Sequence, residues 1–130
     1  KGKRGGGPKL GEVEEDFARL AEAAPGIPMR AHLHNTRNTG YANADAAIRG
    51  GVSVLDASLG GLGGCPFAPG ATGNIATEDL VYMLDRSGVA TGLDAGALRD
   101  AALWLETVMG RRLPGQLAHV GPAPEPDAAA

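Results

Sequence analysis

Two histidines and one asparagine are the first residues of this sequence that could bind a common ligand. His32 and His34 lie in the run AHLHN, residues 31–35, within a predicted β-strand. Side chains two positions apart on a strand point to the same face, so both imidazoles could bind one metal ion. Asn74, after the next predicted strand, could add a neutral oxygen ligand. Ordinary packing is the commoner role of such a histidine pair and stays open here.

The single cysteine lies in a glycine-rich run, SLGGLGGCPFAPGATGN, residues 58–74. Gly63 and Gly64 directly precede Cys65, which predicts a loop whose backbone can approach a bound substrate closely. An ordinary thiol, with a pKa of about 8.5, can donate a proton or act as a nucleophile, whereas a buried inert thiol is the competing interpretation. The run contains neither Gly-Lys-Ser/Thr nor a Gly-x-Gly-x-x-Gly that opens a helix, which argues against a nucleotide site.

Composition excludes several classes of function. The only three lysines are Lys1, Lys3 and Lys9, so no lysine is available beyond them for Schiff-base chemistry or for a P-loop. A net charge of −3 and an aromatic content of 4% argue against nucleic acid as the main partner. No apolar run approaches 18 residues, so no membrane span is predicted, and the lone cysteine favours a reducing, cytoplasmic location.

Helix and strand patterns alternate along the chain. Helices are predicted over 11–24, 40–51, 76–88 and 94–109, and strands over 27–36 and 52–59. Strands that alternate with helices indicate βαβ units with parallel pairing, and two strands are too few for a covered parallel sheet. Residues 1–9 are predicted to be a flexible basic arm and residues 114–130 a disordered tail.

Other residues have simpler interpretations. Asp56 is assigned to structural hydrogen bonding, although it could also contribute polar contacts at the site. Glu78 and Asp79 open a helix, where negative charge is favourable because of the helix dipole. His119 falls in the predicted tail, where we expect it to be solvated. An apolar stripe at helical spacing is predicted to face the core: Leu98, Trp104, Leu105 and Val108.

The runs HLHNT and ANADAAIRGGVSVLDASLGGLGGCPFAPGATGNIATEDLVYML resemble the 3-hydroxy-3-methylglutaryl-CoA lyase family, which belongs to the metal-dependent TIM-barrel lyases and synthases. The similarity extends over about residues 10–122. It implies an α/β fold that is a partial (β/α)8 TIM barrel, formed by the last two βα units plus C-terminal helices within residues 10–113. A whole barrel takes about 250 residues. The family's first-strand Arg-Asp-Gly motif is absent from these residues.

The resemblance also implies roles for individual residues. His32, His34 and Asn74 would be ligands of Mg²⁺ or Mn²⁺, and His32 would shuttle a proton. Cys65 would be the catalytic thiol of a loop that closes over an acyl-CoA substrate, with Gly63 and Gly64 against that substrate. The implied reaction is retro-aldol cleavage of 3-hydroxy-3-methylglutaryl-CoA to acetyl-CoA and acetoacetate, a step of leucine degradation and ketone body metabolism.

Two alternatives stay open. Related acyl-CoA-dependent Claisen synthases often carry an asparagine after the second histidine, as Asn35 does here, but they lack the Gly-Gly-Cys-Pro loop. The chain could instead be an inactive truncated remnant or an assembly module, which would rely on a missing N-terminal barrel half or on a homo-oligomer. Two imidazoles and an amide without a carboxylate should hold Mg²⁺ poorly, so we expect weak or absent activity from the isolated chain.

Overall fold

The computed structural model describes residues 10–64 and 73–120, which form helices and two short strands. In chain order these are helix α1 (Leu10–Ala23), strand β1 (Arg30–His32), helix α2 (Gly40–Arg49), strand β2 (Val54–Asp56), helix α3 (Thr77–Arg86) and helix α4 (Ala95–Met109). The predicted order of elements and the α/β class are confirmed. The predicted basic arm, Cys65 and residues 121–130 lie outside the described residues.

The two strands pair in parallel, as the alternation of strands and helices predicts. The register places Arg30 opposite Val54, Ala31 opposite Leu55 and His32 opposite Asp56. Ala31 is buried, whereas Arg30 and His32 on either side of it are exposed, so β1 shows the period-two alternation of a strand with one covered face. Both strands are much shorter than the predicted runs, because the ladder between them ends at His32 and Asp56.

The described residues form two compact units. The first unit consists of residues 10–57, 63–64 and 73–75, and the second of residues 58–62 and 76–120. Small apolar side chains dominate the core of the first unit, in which α1, α2 and the sheet supply Val13, Ala31, Ala46, Ala47 and Val52. The small core side chains let α1 and α2 pack closely, and Arg49 of α2 adds an ion pair to Glu14 of α1 at 2.9 Å.

Helix α4 begins as the sequence predicts but does not present the predicted core face. The Asp94 carboxylate accepts a hydrogen bond from the Ala97 N–H at 2.9 Å, which is a helix N-cap. The prediction that Trp104 and Val108 face a core is wrong, because 64% of Trp104 and 60% of Val108 are exposed. Helical periodicity shows which residues share a face, and it cannot show whether another element covers that face. None of the four α-helices in the described ranges is long and apolar enough to span a bilayer.

The segment after α4 is described through residue 120 and makes hydrogen bonds to α3. Leu117–His119 forms a 3₁₀ turn, and the Asp79 carboxylate of α3 accepts hydrogen bonds from the N–H groups of Gln116 and Leu117 at 2.9 and 2.7 Å. Asp79 therefore holds this turn in place, and its negative charge also interacts favourably with the dipole of α3. The side chain of His119 is only 18% exposed, so the prediction that it is solvated is wrong.

Glu106 of α4 is the main partner that orders this segment. Its carboxylate accepts a hydrogen bond from the Leu113 N–H and lies 2.9 Å from His119 Nε2. The Leu113 N–H, followed by His119, holds the pKa of Glu106 below its ordinary value. Such a lowered pKa adds stability above the ordinary pKa and loses it as the pH falls, so this contact weakens in acid.

Glu78 is the carboxylate that the second unit buries completely. Its Oε2 accepts a hydrogen bond from the Gly60 N–H at 2.9 Å, and within the described ranges Oε1 has no hydrogen-bond partner. Gly115 lies directly over Oε1, since a Cβ at that position would clash with it. Burial raises the pKa of Glu78 above its ordinary value, because the charged carboxylate loses its water.

We predict that Glu78 makes the second unit less stable as the pH rises. The folded state holds the Glu78 proton more tightly than the unfolded chain, so the free energy of unfolding falls between the ordinary pKa and the raised pKa. Glu78→Gln should remove this loss, because the amide cannot ionise and can still accept from Gly60. Urea unfolding from pH 4 to pH 8 measures the free energy of unfolding at each pH. Glu22→Gln is the control, because Glu22 is exposed. An unchanged pH dependence in Glu78→Gln would contradict the assignment.

Candidate metal and substrate site

The two predicted histidines lie side by side at the carboxyl end of β1. His32 is the last residue of the strand, and the chain stays extended for two more residues, so His34 falls on the same face. The two Nε2 atoms are 3.1 Å apart, with ring centroids 5.1 Å apart and ring planes at 76°. The structure therefore brings together the pair of nitrogens that the period of a strand predicts.

The spacing of these nitrogens fits two ligands of a single cation. An octahedral ion with metal–ligand bonds of about 2.1 Å separates ligands at adjacent corners by about 3.0 Å. The two Nε2 atoms of His32 and His34 are 3.1 Å apart, close to that separation. Within the described residues, no three His, Cys, Asp or Glu side chains form a group that could hold a metal ion. The pair could supply two ligands of a coordination sphere, and a hard cation would need further oxygen ligands.

Asn74 lies next to the histidines because the chain returns to β1 after the glycine-rich run. Asn74 and His34 form an antiparallel β-bridge. Two backbone hydrogen bonds flank this bridge, both of 3.3 Å, from the Asn35 N–H to the Gly73 carbonyl and from the Ile75 N–H to the Leu33 carbonyl. These bonds fix the backbone of Asn74 beside that of His34. The predicted third ligand is therefore near the pair, and its role as a ligand stays a prediction.

Gly63 allows the start of the cysteine loop to lie against Asn74. Its φ of +121° is a conformation that side-chain-bearing residues rarely adopt. A Cβ at this position would come within 2.8 Å of Asn74 Nδ2. Gly64 follows and is exposed, whereas Cys65 lies outside the described residues. The predicted contacts of these glycines with substrate and the role of the thiol stay predictions.

Asp56 lies beside His32, which fits the polar contact at the site that the sequence analysis left open as its second role. The parallel register sets it opposite His32. Its Oδ2 lies 3.8 Å from His32 Nδ1, and its Oδ1 lies 3.3 Å from Nη1 of Arg30. A carboxylate behind a metal-binding imidazole is a common arrangement in metal sites. The signal that could have found it is the register of the two strands, which one sequence does not determine.

An open pocket of about 310 Å³ adjoins the histidines. Its lining comes from the end of β1 and the amino end of α2: His32, Leu33, His34, Thr36, Arg37, Thr39 and Asn43. The amide oxygen of Asn35 accepts from the Gly40 N–H at 3.1 Å and caps that helix end. A guanidinium, hydroxyl groups and the positive end of a helix dipole together favour an anionic, oxygen-rich ligand beside the imidazoles.

Comparison with known proteins defines the class of protein to which this fold and site belong. Residues 6–104 match the HMGL-like family model. The chain is 52% identical over 103 residues to an (R)-citramalyl-CoA lyase of Chloroflexus aurantiacus, which covers 79% of this chain and 32% of that protein. It is 44% identical over 105 residues to a hydroxymethylglutaryl-CoA lyase of Bacillus subtilis, which covers 81% of this chain and 35% of that protein.

A solved structure supports the same relationship. An HMG-CoA lyase from Acinetobacter baumannii, in complex with coenzyme A and 3-methylmalate, matches with a TM-score of 0.80 and 39% identity. The match covers 90% of this chain and 40% of that one. The chain spans about a third of the length of the curated relatives it matches. The chain belongs to the HMGL-like family, which confirms the resemblance drawn from the cysteine loop and the histidine run.

We predict that Gly63→Ala displaces the Asn74 side chain. The new methyl group would contact Asn74 Nδ2, and the positive φ should cost about 1–3 kcal/mol. The free energy of unfolding measures the strain, and the side-chain amide resonance of Asn74 in an NMR spectrum reports the displacement. Gly26→Ala is a matched control, because Gly26 also has a positive φ but has open space around it. An Asn74 amide that does not shift in Gly63→Ala would contradict the contact.

Proposed function

We propose that the chain supplies the metal-binding and thiol-bearing part of a lyase that cleaves a carbon–carbon bond in a 3-hydroxyacyl-CoA, with 3-hydroxy-3-methylglutaryl-CoA as the substrate. The observation that carries this proposal is the 3.1 Å approach of the two Nε2 atoms at the carboxyl end of β1. In parallel α/β folds ligands bind at that end of the strands. Membership of the HMGL-like family supports the same reaction class.

A divalent cation, Mg²⁺ or Mn²⁺, would be held by Nε2 of His32 and of His34, with the Asn74 amide as a further oxygen ligand. When bound there, it would act as a Lewis acid toward the oxygens of the substrate. Within residues 10–130 no lysine is present that could supply a Schiff base instead. The remaining ligands that a hard cation needs would come from the part of the barrel that precedes this segment in its relatives.

One residue of this chain would then handle a proton of the reaction. A base in the part of the barrel that precedes this segment in its relatives would take the proton of the tertiary hydroxyl. The carbon–carbon bond would then break, acetoacetate would leave, and the bonding electrons would pass to the enolate of acetyl-CoA. Cys65 would donate its S–H proton to the enolate carbon and so complete acetyl-CoA. While Nε2 serves as a ligand, His32 would carry its single proton on Nδ1, on the side that faces Asp56, and would have no free nitrogen to accept the hydroxyl proton.

Citramalyl-CoA is the second candidate substrate. The identity to the (R)-citramalyl-CoA lyase, 52%, exceeds the 44% to the hydroxymethylglutaryl-CoA lyase of Bacillus subtilis. The two thioesters share the bond that breaks and differ by one methylene between the carbinol carbon and the distal carboxylate. A hydrophobic contact with one methylene discriminates by only about 10–200-fold, so both thioesters belong in the same assay.

The test replaces the matching third of the Bacillus subtilis enzyme with residues 10–120 of this chain. We expect release of acetoacetate from 3-hydroxy-3-methylglutaryl-CoA, or of pyruvate from citramalyl-CoA, that depends on added Mg²⁺ or Mn²⁺. His32→Ala should lower the rate at least about 100-fold, because it removes a ligand worth several kcal/mol to the transition state. Cys65→Ser should also lower it, since a hydroxyl is a weaker proton donor than a thiol.

His119→Gln is the control for the loss of an imidazole, because His119 bonds to Glu106 in the second unit and takes no part in the proposed chemistry. Its rate should stay within about threefold of the parent chimera. A chimera that folds, binds Mn²⁺ and cleaves neither thioester would contradict the proposal. That result would favour the inactive remnant.

A further inference from the structure

The carboxylate of Asp56 lies behind one imidazole of the pair and not behind the other. The register of β1 and β2 sets Asp56 opposite His32, with Oδ2 at 3.8 Å from Nδ1. Arg30 Nη1 lies 3.3 Å from the other carboxylate oxygen, so Asp56 lies between the guanidinium of Arg30 and the imidazole of His32. Among the residues that the structure describes, no carboxylate lies within ion-pair distance of His34. The two rings therefore have different electrostatic surroundings.

Without a cation between them, the two rings can form a hydrogen bond at this separation only if they differ in the position of the proton. A separation of 3.1 Å between Nε2 atoms is a hydrogen-bond distance, so one ring donates and the other accepts. A neutral imidazole carries one proton, on either Nδ1 or Nε2. The accepting ring must then carry its proton on Nδ1, and the donating ring must carry its proton on Nε2. The geometry of the pair alone does not determine which ring is which.

We propose that Asp56 is a positioning residue that makes this choice: its carboxylate keeps the proton of His32 on Nδ1, so that His32 Nε2 presents a lone pair and His34 donates. A negative charge beside Nδ1 favours an N–H there, and a partner at one ring nitrogen sets the state of the other. The distance of 3.8 Å between Asp56 Oδ2 and His32 Nδ1 is too long for a direct hydrogen bond, so Asp56 acts through its charge.

This inference rests on the metal site of the proposed function and adds an asymmetry to it. A cation between the two Nε2 atoms needs a lone pair from each ring, which requires Nδ1–H on both. His32 would already be in that state, whereas His34 would have to move its proton from Nε2 to Nδ1. Because of Asp56, metal binding would require a tautomer change in one ring instead of two. Asp56 itself would not contact the metal.

The test reads the tautomers directly, with neither metal nor substrate. The chain is labelled with ¹⁵N at histidine and its ring nitrogens are observed at about pH 8.5, two units above the ordinary imidazole pKa of about 6.5. Single-histidine variants assign the signals. We expect the pattern of Nδ1–H for His32 and of Nε2–H for His34. The opposite assignment in the unaltered chain would overturn the proposal, whatever any variant does.

Asp56→Asn tests the cause, since it removes the charge and keeps the shape. We expect the Nδ1–H population of His32 to fall, and the affinity of the chain for Mn²⁺, followed by electron paramagnetic resonance, to drop by about 10–100-fold. Asp45→Asn is the matched control, because Asp45 is a carboxylate paired with Arg49 on α2 and should change neither. Unchanged tautomers in Asp56→Asn would overturn the proposal.

The outcome is separable from that of the proposed function. A chain with the expected tautomers could still be part of a chimera that cleaves no thioester, which would remove the lyase assignment and leave the role of Asp56 standing. An active chimera in which His32 is protonated at Nε2 would leave the lyase assignment standing and remove the proposed role of Asp56.

Discussion

The parallel pairing of β1 with β2 is the constraint on which the candidate site depends. It sets His32 against Asp56 and determines which way the face that carries His32 and His34 is turned. A register shift of one residue would turn the histidines to the opposite face. The strands have only three residues each, so the buried Ala31 and the core formed with α1 and α2 must hold that register.

The period of a β-strand predicts how the two histidines are arranged. It does not predict contacts between residues that are far apart in the sequence. The period of two along β1 is a property of the backbone, so the same-face placement of His32 and His34 follows from their spacing. The proximity of Asp56 to His32 depends on which residues of two strands pair, and one sequence does not encode that in a local pattern. The family resemblance supplied Asn74 and the class of reaction, which the spacing of residues alone leaves open.

In the second unit too, the hydrogen-bond partners of the carboxylates are far away in the sequence and were not predicted. Glu78 and Asp79 lie in the first turn of α3, where negative charge is favourable because of the helix dipole. Their actual partners are Gly60, 18 residues before Glu78, and the turn at Leu117, 38 residues after Asp79. The order of residues 114–120 follows from these contacts and from Glu106. These contacts join residues far apart in the sequence, so no local pattern at the carboxyl end indicates them.

The exposure of Trp104 has a practical consequence. Trp104 is the only tryptophan of the chain, and it lies on α4 with 64% of its surface exposed. Indole emission shifts to shorter wavelength when water is excluded from the ring, so the fluorescence of the unaltered protein gives a label-free optical signal from one defined helix face. Whatever comes to cover α4, in an assembled barrel or in a complex, would be recorded as a blue shift from a single chromophore.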